Sequence, residues 1–549
     1  MSGESAAVLE IPPGVVRNGT PYSVGRRWWD VNWVRWEEGQ LTPIKGWTQG
    51  KTFGVDTSLI GDEWKGFSLD FTTDTSQVRT STDAEIIPGA QPSQLEVVRD
   101  TFSWRDNGKT PWYAVGTQRN LYVTSPNPTN DAIRIATPAG LVWQNPLTRG
   151  YGAGLYGDGL YGRGAPFVSD STGQWSLDNF GRYLMAVHSQ DGRLFSWDPA
   201  TPTVAAVPVT NAPTGSGLVV VTDERMIMVL GGKNNPRRVK WCSREDMTAW
   251  TASATNTAGG FELNSSGAII AACKVQGGIL VLTDVDAHII EYVGAPSYYS
   301  RRRVSDEVGC SAKNALVAVT GGAFWLSKEG FWRYDGAITP VQSTVDNEVL
   351  KNGDLGSPLN IFLGYNAYNR EIWCFYPSRG SPSPNRYVFV SIAGDPYWSI
   401  GQLSRTAFLN PIWDTKPIMF DGGIEYLHES GDLAAGATRV GNIYAETGQF
   451  EIATGDRNMR VDRIWPDGWT NDPVHGFDYA APAYNLTFKL RQAPTAPERT
   501  IGPVSFDNAK GYTGIRFRSR SLAMRLTPTG DTPWSLGKLR LRMKAGGTR

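Results

Sequence analysis

The chain has 549 residues, more than a single hydrophobic core can use, so its length predicts several domains or one large repetitive architecture. Lys and Arg number 53 and Asp and Glu also number 53, and this zero net charge excludes a whole-chain field that would attract nucleic acid, a membrane or an acidic substrate. Only 19% of the residues are charged, whereas 61 glycines, 34 prolines and 21 tryptophans favour short strands joined by tight turns, and therefore an all-β chain.

The sequence shows no signal for export, a membrane span or a metal site. Residues 1–13 lack a basic segment followed by an apolar one, and no stretch approaches the ~18 apolar residues of a membrane span, so we expect a protein made and used without secretion. Cys242, Cys273, Cys310 and Cys374 are 31, 37 and 64 positions apart, which matches no metal-ligand motif and no disulfide framework. We therefore expect reduced, buried cysteines, no bound metal and no cofactor.

The first strongly patterned segment is Trp28–Trp47, in which large apolar and polar residues alternate around Glu38 and Gly39. Such alternation around a glycine turn predicts a β-hairpin. We assign residues 1–50 to an N-terminal arm that carries this hairpin.

A recurring unit follows, made of an apolar run, a turn with Gly, Asp or Asn, and a second apolar run. The units are Trp112–Val123, Tyr183–Trp197, Arg225–Trp241, Gly278–Tyr292, Gly322–Tyr334 and Glu371–Val390. Their spacing of roughly 40 to 50 residues suits the four-stranded blades of a β-propeller. A long sandwich could give a similar spacing, but a closed ring removes exposed sheet edges, so we predict a propeller over residues 51–434.

The most conspicuous local motif is a five-residue repeat of the form G-x-G-L-Y in residues 150–164. It contains the dinucleotide-binding pattern G-x-G-x-x-G, but its glycines continue and Pro166 follows, so no helix can begin there to bind a pyrophosphate. The alternatives are a flexible surface loop and an inserted loop that packs on another subunit. Because large apolar side chains are unfavourable in water, we favour the subunit contact. The candidate contact residues are Leu155, Tyr156, Leu160 and Tyr161.

No catalytic constellation is recognisable. The nearest approach to a sialidase Asp-box, Ser189–Gly192, places its glycine one residue too early. Turns need Ser, Asp and Gly in any case, and nothing in the sequence nominates a pair of catalytic carboxylates. We predict no enzymatic activity, no catalytic residue and no small-molecule substrate, with a propeller glycoside hydrolase or sialidase-like enzyme as the alternative.

After about Ala435 the sequence changes to polar, Pro- and Asp-rich loops over residues 456–482, which lead into four predicted strands. These strands are Tyr484–Arg491, Gly514–Arg520, Leu522–Pro528 and Leu536–Met543. We predict an additional C-terminal β-domain over residues 435–549, in the form of a small sandwich or platform.

Two of these strands are strongly basic. Residues 510–549 contain ten basic residues and one acid, Asp531, so this end of the chain carries about +9. Strand alternation places the cations on one face and the apolar residues on the other. The interface candidates on the basic face are Arg516, Arg518, Arg520, Arg540, Arg542 and Lys544. A second basic cluster, Arg301–Arg303, is expected to be a solvated turn.

The basic face could contact a nucleic-acid backbone, dock an acidic neighbour or be solvated. Cations stacked on adjacent strands repel each other, so we favour a partner or interspersed acids. The face has few amide side chains, and we therefore do not expect it to read base sequence.

The centre of the chain has a distinctive order of short segments. WCSREDMTAW (241–250) is followed by NTAGG (256–260), IIEYVG (289–294) and AFWLSKEGFWRYDG (323–336), and the N-terminal element ends in GQLTPIKGW (39–47). This order, together with the arginine-rich closing strands, resembles the tail nozzle proteins of short-tailed bacteriophages, also called packaged DNA stabilisation or tubular tail proteins. The resemblance covers most of the chain and is strongest over residues 241–336, whereas the loop of residues 150–164 departs from the family pattern.

The resemblance implies a propeller-containing structural subunit of the virion tail, assembled in the cytoplasm of the bacterial host as a ring that is expected to be a hexamer. It implies docking on the portal–adaptor proteins, contacts with tail fibres or other tail proteins, and double-stranded DNA that passes through a shared channel without sequence recognition. Such a ring extends the portal–adaptor channel, helps to retain packaged DNA and conducts it during ejection. A receptor-binding propeller scaffold, expected as a monomer, is the other alternative.

Overall fold

The computed structural model describes residues 5–54, 96–127, 131–142, 173–451, 457–468, 470–472, 476–478, 483–506 and 510–545. In these residues the regular structure is almost entirely β. One short helix, Asp346–Leu350, and one 3₁₀ turn, Pro358–Asn360, are the helical elements of the described part of the chain.

Seven four-stranded antiparallel sheets make up the centre of the protein. The strands before the first sheet are β1 (Ser5–Leu9), β2 (Trp28–Asn32), β3 (Val34–Glu37), β4 (Gln40–Pro43) and β5 (Trp47–Thr52).

The seven sheets are numbered as blades in chain order. Blade 1 consists of β6 (Val98–Arg105), β7 (Pro111–Thr117), β8 (Leu121–Thr124) and β9 (Arg134–Ile135). Blade 2 consists of β10 (Trp175–Phe180), β11 (Tyr183–His188), β12 (Leu194–Trp197) and β13 (Val207–Pro208). Blade 3 consists of β14 (Leu218–Val221), β15 (Ile227–Leu230), β16 (Arg238–Trp241) and β17 (Gly259–Glu262). Blade 4 consists of β18 (Ile269–Val275), β19 (Gly278–Thr283), β20 (Ala287–Gly294) and β21 (Tyr298–Ser305). Blade 5 consists of β22 (Leu316–Val319), β23 (Gly322–Ser327), β24 (Gly330–Tyr334) and β25 (Ile338–Pro340). Blade 6 consists of β26 (Phe362–Asn366), β27 (Glu371–Tyr376), β28 (Arg386–Ser391) and β29 (Trp398–Gln402). Blade 7 consists of β30 (Ala407–Leu409), β31 (Ile418–Asp421), β32 (Ile424–His428) and the early strand β5.

These sheets form a closed ring. The first strand of each blade contacts the first strand of the next, and β30 of blade 7 contacts β6 of blade 1. The chain is therefore an all-β protein built on a seven-bladed β-propeller, and the predicted fold class is confirmed. Each of the six predicted repeat units is the second and third strand of one blade, from blade 1 to blade 6.

The ring is closed by a strand from the beginning of the chain, which pairs with the last blade. Strand β5 pairs antiparallel with β32, with Thr48 opposite Leu427 and Trp47 opposite His428. The Trp47 indole stacks on the His428 ring at a centroid distance of 5.0 Å. The predicted hairpin is thus correct only for β3 and β4, because Trp47 belongs to blade 7 and β2 joins a different sheet.

Two further sheets combine strands from both ends of the chain. Their remaining strands are β33 (Tyr444–Thr447), β34 (Phe450–Glu451), β35 (Met459–Trp465), β38 (Tyr484–Arg491), β39 (Arg499–Val504), β40 (Thr513–Ser519), β41 (Ser521–Pro528) and β42 (Leu539–Ala545), while β36 (Thr470–Asp472) and β37 (Gly476–Asp478) pair only with each other. One sheet has the order β1-β42-β35-β40, and the other has the order β2-β33-β41-β38-β39, with β34 also pairing with β41. The assignment of residues 435–549 to a domain of their own stays a prediction.

Two local predictions were wrong. Residues 459–465, expected in a loop, form β35, because Met459, Val461 and Ile464 alternate with polar residues and are buried. The cluster Arg301–Arg303, expected in a turn, lies in β21 at the outer edge of blade 4. Pairing with β20 overrides the low strand preference of a run of cations.

A buried ion cluster fixes the N-terminal hairpin against the propeller. The Arg35 guanidinium of β3 donates to both oxygens of Glu429, at 2.7 and 2.9 Å, and to Glu371 Oε2 at 3.2 Å. Asn366 Nδ2 donates to both carboxylates, and Trp373 Nε1 donates to Glu371 at 3.0 Å. Arg35 and Glu371 are 2% and 1% exposed, so the cluster has exchanged water for these internal partners. It joins the hairpin to blades 6 and 7.

One cation faces two carboxylates in this cluster, and the two carboxyl groups respond in opposite ways. Burial raises the pKa of Glu371 to about 7, with the Glu429 charge adding to the effect and the Arg35 charge opposing it. Although burial alone would raise the pKa of Glu429, the charge and hydrogen bonds of Arg35 lower it. We therefore assign the permanent negative charge to Glu429 and a proton near neutral pH to Glu371.

We predict that Arg35→Met destabilises the protein by about 3–5 kcal/mol, because it leaves the buried Glu429 carboxylate without its cation and the Glu371 carboxyl without its hydrogen-bond donor. The measurement is the urea midpoint of the full chain, followed by tryptophan fluorescence. The matched control is Arg302→Met, which removes an exposed ion pair with Glu291 and should change the midpoint little. Equal midpoints for the two variants would contradict this account.

We predict that Glu371→Gln removes a pH-dependent loss of stability. In the unfolded chain the Glu371 carboxyl ionises near its usual pKa of 4.5, whereas in the folded protein it keeps its proton to about pH 7. Between these values the unfolded state binds fewer protons, so this group lowers the free energy of unfolding as the pH rises. The urea midpoint of the variant relative to the native protein should rise from pH 5 to pH 7.5. A constant difference over this range would refute the assignment of the proton.

Candidate functional site: basic sheet face and propeller channel

The basic residues of the C-terminal strands occupy one outer face of the sheet β1-β42-β35-β40. In β40, Ile515 and Phe517 are buried while Arg516 and Arg518 are exposed. The same alternation holds in β42, where Leu539 and Leu541 are buried and Arg540 is exposed. The predicted division into an apolar and a basic face is confirmed.

The apolar side of this sheet packs on the second terminal sheet. The rings of Phe517 in β40 and Phe488 in β38 are 5.3 Å apart. Both residues belong to a buried cluster that also contains residues of blades 4 to 7. The basic face is therefore held on a rigid support that is continuous with the propeller core.

The order of strands on the basic face differs from the prediction. β40 and β42 are not adjacent, because β35 lies between them and pairs with both. This strand adds Arg460, which is exposed and lies opposite Arg518 on one side and Lys544 on the other. It also adds the acid Asp462, which accepts a hydrogen bond from Arg542.

Asp462 neutralises only part of this face. The hydrogen bond and charge of Arg542 lower the pKa of the Asp462 carboxyl, with Lys544 contributing, so the acid stays ionised. Arg520 and Lys544 are half-buried, and each takes part in a polar or electrostatic contact.

Three arginines on the face have no such contact, whereas the charge of Arg460 helps to lower the pKa of the Asp462 carboxyl. Among the residues that the structure describes, no side-chain hydrogen bond or ion pair reaches these three: Arg516, Arg518 and Arg540. The result is a fixed array of uncompensated positive charge, suited to a partner that carries carboxylates or phosphates.

The other interface candidates, Leu155, Tyr156, Leu160 and Tyr161, lie outside the described residues. The suggestion that they contact another subunit stays a prediction.

The axis of the propeller contains a cavity of about 220 Å³, lined by the first strands of all seven blades and by residues just before β22. Its upper mouth, where the first strand of each blade begins, is crossed by side chains. Lys313 Nζ is 2.7 Å from Asp100 Oδ1, and Asn314 Nδ2 donates to the same oxygen at 2.9 Å. These contacts connect blade 5 to blade 1 across the axis. A cavity of this size is below the range of ordinary small-ligand pockets and cannot admit a DNA duplex.

The cysteines are free and have poor nucleophilicity. Cys242, Cys310 and Cys374 are buried and Cys273 is half-buried, so the predicted burial is confirmed for three of the four. Burial raises the pKa of Cys242 to about 11 and those of Cys273 and Cys310 to about 12, and it also raises the pKa of Cys374.

Across the described ranges, no group of three or more His, Cys, Asp or Glu residues is placed to hold a metal ion. No helix in the described part of the chain is long and apolar enough to cross a membrane.

Comparison with known proteins gives a likeness at the level of the fold. No protein-family model and no curated protein matches the sequence. Among solved structures, the chain is similar to the β-propeller domain of Myceliophteria thermophila Cps50 (Swd1), with 8% identity, a TM-score of 0.35 and coverage of 60% of this chain and 100% of that one. It is similar to a protein from Lactobacillus plantarum, with 11% identity, a TM-score of 0.35 and coverage of 59% and 89%. It is also similar to the AfRom2 CNH domain, with 12% identity, a TM-score of 0.30 and coverage of 46% and 80%. Scores this low carry no functional argument, and the ring of seven sheets itself defines the fold.

We predict that the native protein resists thiol modification. At pH 8 the raised pKa values leave almost no thiolate, so reaction with a disulfide reagent should be at least about 100-fold slower than for a free cysteine. Counting labelled thiols by mass spectrometry in buffer and in urea provides the measurement, and all four should react once the chain is unfolded. One cysteine that labels at the free rate in the native protein would contradict the burial described above.

Proposed function

We propose that this chain is a structural virion protein, a subunit of the tail nozzle ring of a short-tailed bacteriophage. In this role a ring of copies, expected to be a hexamer, extends the portal–adaptor channel, helps to retain packaged DNA and conducts it during ejection. The chain acts as a structural subunit without enzymatic activity, and it is assembled in the bacterial cytoplasm into the virion tail.

The sequence resemblance supports the proposal through its position in the fold. The segment from Trp241 to Gly336, where the resemblance is strongest, extends from the third strand of blade 3 to the last turn of blade 5. The resembling motifs therefore cover a continuous part of the propeller and its blade edges. This is expected if this chain and the tail nozzle proteins have the whole propeller in common.

The observation that carries the proposal is the array of uncompensated arginines on the basic face. Arg516, Arg518 and Arg540 lie on strands at fixed positions, with a buried apolar layer behind them. A rigid, charged and flat surface of this kind suits a lasting contact with an acidic protein surface. We therefore propose that it faces a neighbouring subunit, a portal–adaptor protein, or a tail fibre or other tail protein.

DNA is a less suitable partner for this face. A conduit requires the duplex to slide, and an array of arginines on its wall would hold many phosphates at once. The propeller cavity of about 220 Å³ also has no room for DNA. If copies of this chain form a conduit, it lies between them and DNA contacts other surfaces.

The proposal predicts that the double variant Arg518→Glu, Arg540→Glu impairs assembly of the tail. Charge reversal at two positions replaces attraction to an acidic partner with repulsion, while both side chains are exposed and should leave the fold intact. Assembly is measured by negative-stain microscopy of rings and of tails formed with the portal–adaptor complex. Circular dichroism and thermal unfolding report on the fold.

The matched control is Arg379→Glu, an exposed arginine in the loop between β27 and β28 of blade 6 that also has no side-chain partner among the described residues. It should assemble normally. If the double variant assembled as well as the control but changed the salt dependence of DNA retention, the basic face would belong to the DNA channel. If native chains formed neither rings nor tails, the proposed function itself would be wrong.

A further inference from the structure

The upper mouth of the propeller channel contains more positive than negative charge. Three charged residues line the cavity, namely Arg99, Asp100 and Lys313. Two cations and one carboxylate give a net charge of +1 in a cavity of about 220 Å³. A partly buried cation without a counter-charge is unfavourable, so this arrangement suits an anionic ligand.

The single carboxylate is fully used by other groups. Asp100 Oδ1 accepts hydrogen bonds from Lys313 Nζ at 2.7 Å and from Asn314 Nδ2 at 2.9 Å, and Oδ2 accepts one from the backbone N–H of Trp175 at 2.8 Å. Lys313 Nζ also donates to the Trp175 carbonyl. The cation that remains without a carboxylate is Arg99.

Arg99 makes only neutral contacts in the described structure. Its Nη1 donates to the Leu359 carbonyl at 2.9 Å and to Asn360 Oδ1 at 3.3 Å, both just before blade 6. Its Nε is buried and has no hydrogen-bond partner. Burial lowers the pKa of the guanidinium, and the nearby Asp100 charge compensates only in part. A guanidinium with an unused buried donor is well suited to a bidentate oxyanion.

The backbone at this position is also irregular. The register between β6 and β7 shifts between Val98 and Asp100, so Arg99 is the additional residue of a β-bulge. Bulges re-aim side chains and are common next to functional sites. Here the bulge lies at the cavity itself, because Arg99 and its neighbours Asp100 and Thr101 all line it.

We propose that the upper mouth of the propeller channel binds one compact oxyanion, of the phosphate or carboxylate type, on the Arg99 guanidinium beside Lys313. The cavity of about 220 Å³ accepts an anion of this size and excludes a nucleotide or a nucleic-acid strand. The anion supplies the counter-charge that Arg99 lacks and connects blades 1, 5 and 6 around the axis. This site is independent of the proposed role in a phage tail.

The test is calorimetric titration of the full chain with inorganic phosphate at pH 7, at an ionic strength held constant with chloride. We expect one saturable site in the native protein. Arg99→Gln should weaken phosphate binding at least about tenfold, because a charge-assisted hydrogen bond and a charge are lost. The control Arg518→Gln removes a cation from the basic face, and phosphate affinity in the channel should stay within about twofold of the native value. A parallel titration with acetate distinguishes a phosphate-type from a carboxylate-type ligand.

Arg99→Lys keeps the proposal testable if Arg99→Gln does not fold. Lysine retains the charge but replaces the planar fork by a single ammonium group, so binding should be weaker by about threefold or more. The proposal is overturned if the native protein binds neither anion saturably, if either Arg99 variant binds with native affinity, or if affinity falls in Arg518→Gln and not in the Arg99 variants. The last result would place the anion on the basic face.

Discussion

The whole structure depends on the closure of blade 7 by a strand from the beginning of the chain. A ring of sheets is stable only when its last sheet is complete, because an open blade would expose both a sheet edge and the apolar faces of its neighbours. Strand β5 completes that sheet by pairing with β32. Loop-closure entropy grows only slowly with length, so joining segments from opposite ends of the propeller costs little more than joining closer ones. The gain is a seventh blade with its full set of four strands.

Charge and aromatic contacts determine how this closing segment is placed. Arg35 enters the core three residues after β2 and binds carboxylates of blades 6 and 7, while Trp47 stacks on His428 and lies under the Arg405 guanidinium at 5.1 Å. A buried ion pair seldom gives more stability than apolar residues in its place would. It strongly destabilises, however, any arrangement in which one charge loses its partner. A shift of β3 by one residue would turn Arg35 to the opposite face and leave two carboxylates unpaired. Burial and the nearby cations lower the pKa of His428, so the ring that packs against Trp47 is neutral.

Local patterns in the sequence were sufficient for most of the propeller. The central hairpin of each of blades 1 to 6 is a pair of apolar runs around a turn, so it could be recognised without knowledge of its neighbours. Blade 7 had the same signal, since β31 and β32 are joined by Gly422 and Gly423, a typical hairpin turn, but it was not identified. Its fourth strand, β5, could not be assigned to it, because nothing in a single sequence indicates pairing over such a distance.

The basic face shows the same division between local and non-local information. Alternation in β40 and β42 was enough to predict which residues are buried and which are exposed. The insertion of β35 between them, with Arg460 and Asp462, depends on the order of strands in the sheet. It could not be predicted from the alternation of apolar and polar residues. The bulge at Arg99 is a further case, because an extra residue in a strand is defined only by the register with its partner.

The axis of the ring explains why interactions of this chain have to use its outer surfaces. First strands of neighbouring blades do not pair backbone to backbone, so side chains bind the inner N–H groups: Asp100 accepts from Trp175, and Ser176 and Asp178 accept from Val219 and Val221. Unpaired N–H groups at the axis would be costly, and these acceptors therefore have to be present. They make the axis narrow and polar, which leaves space for small ligands only. A large partner, whether protein or nucleic acid, can meet the chain only at blade edges, at loops or at the terminal sheets. Of these surfaces, the basic face lies on a buried apolar layer. Its exposed cations can therefore be substituted without disturbing the propeller.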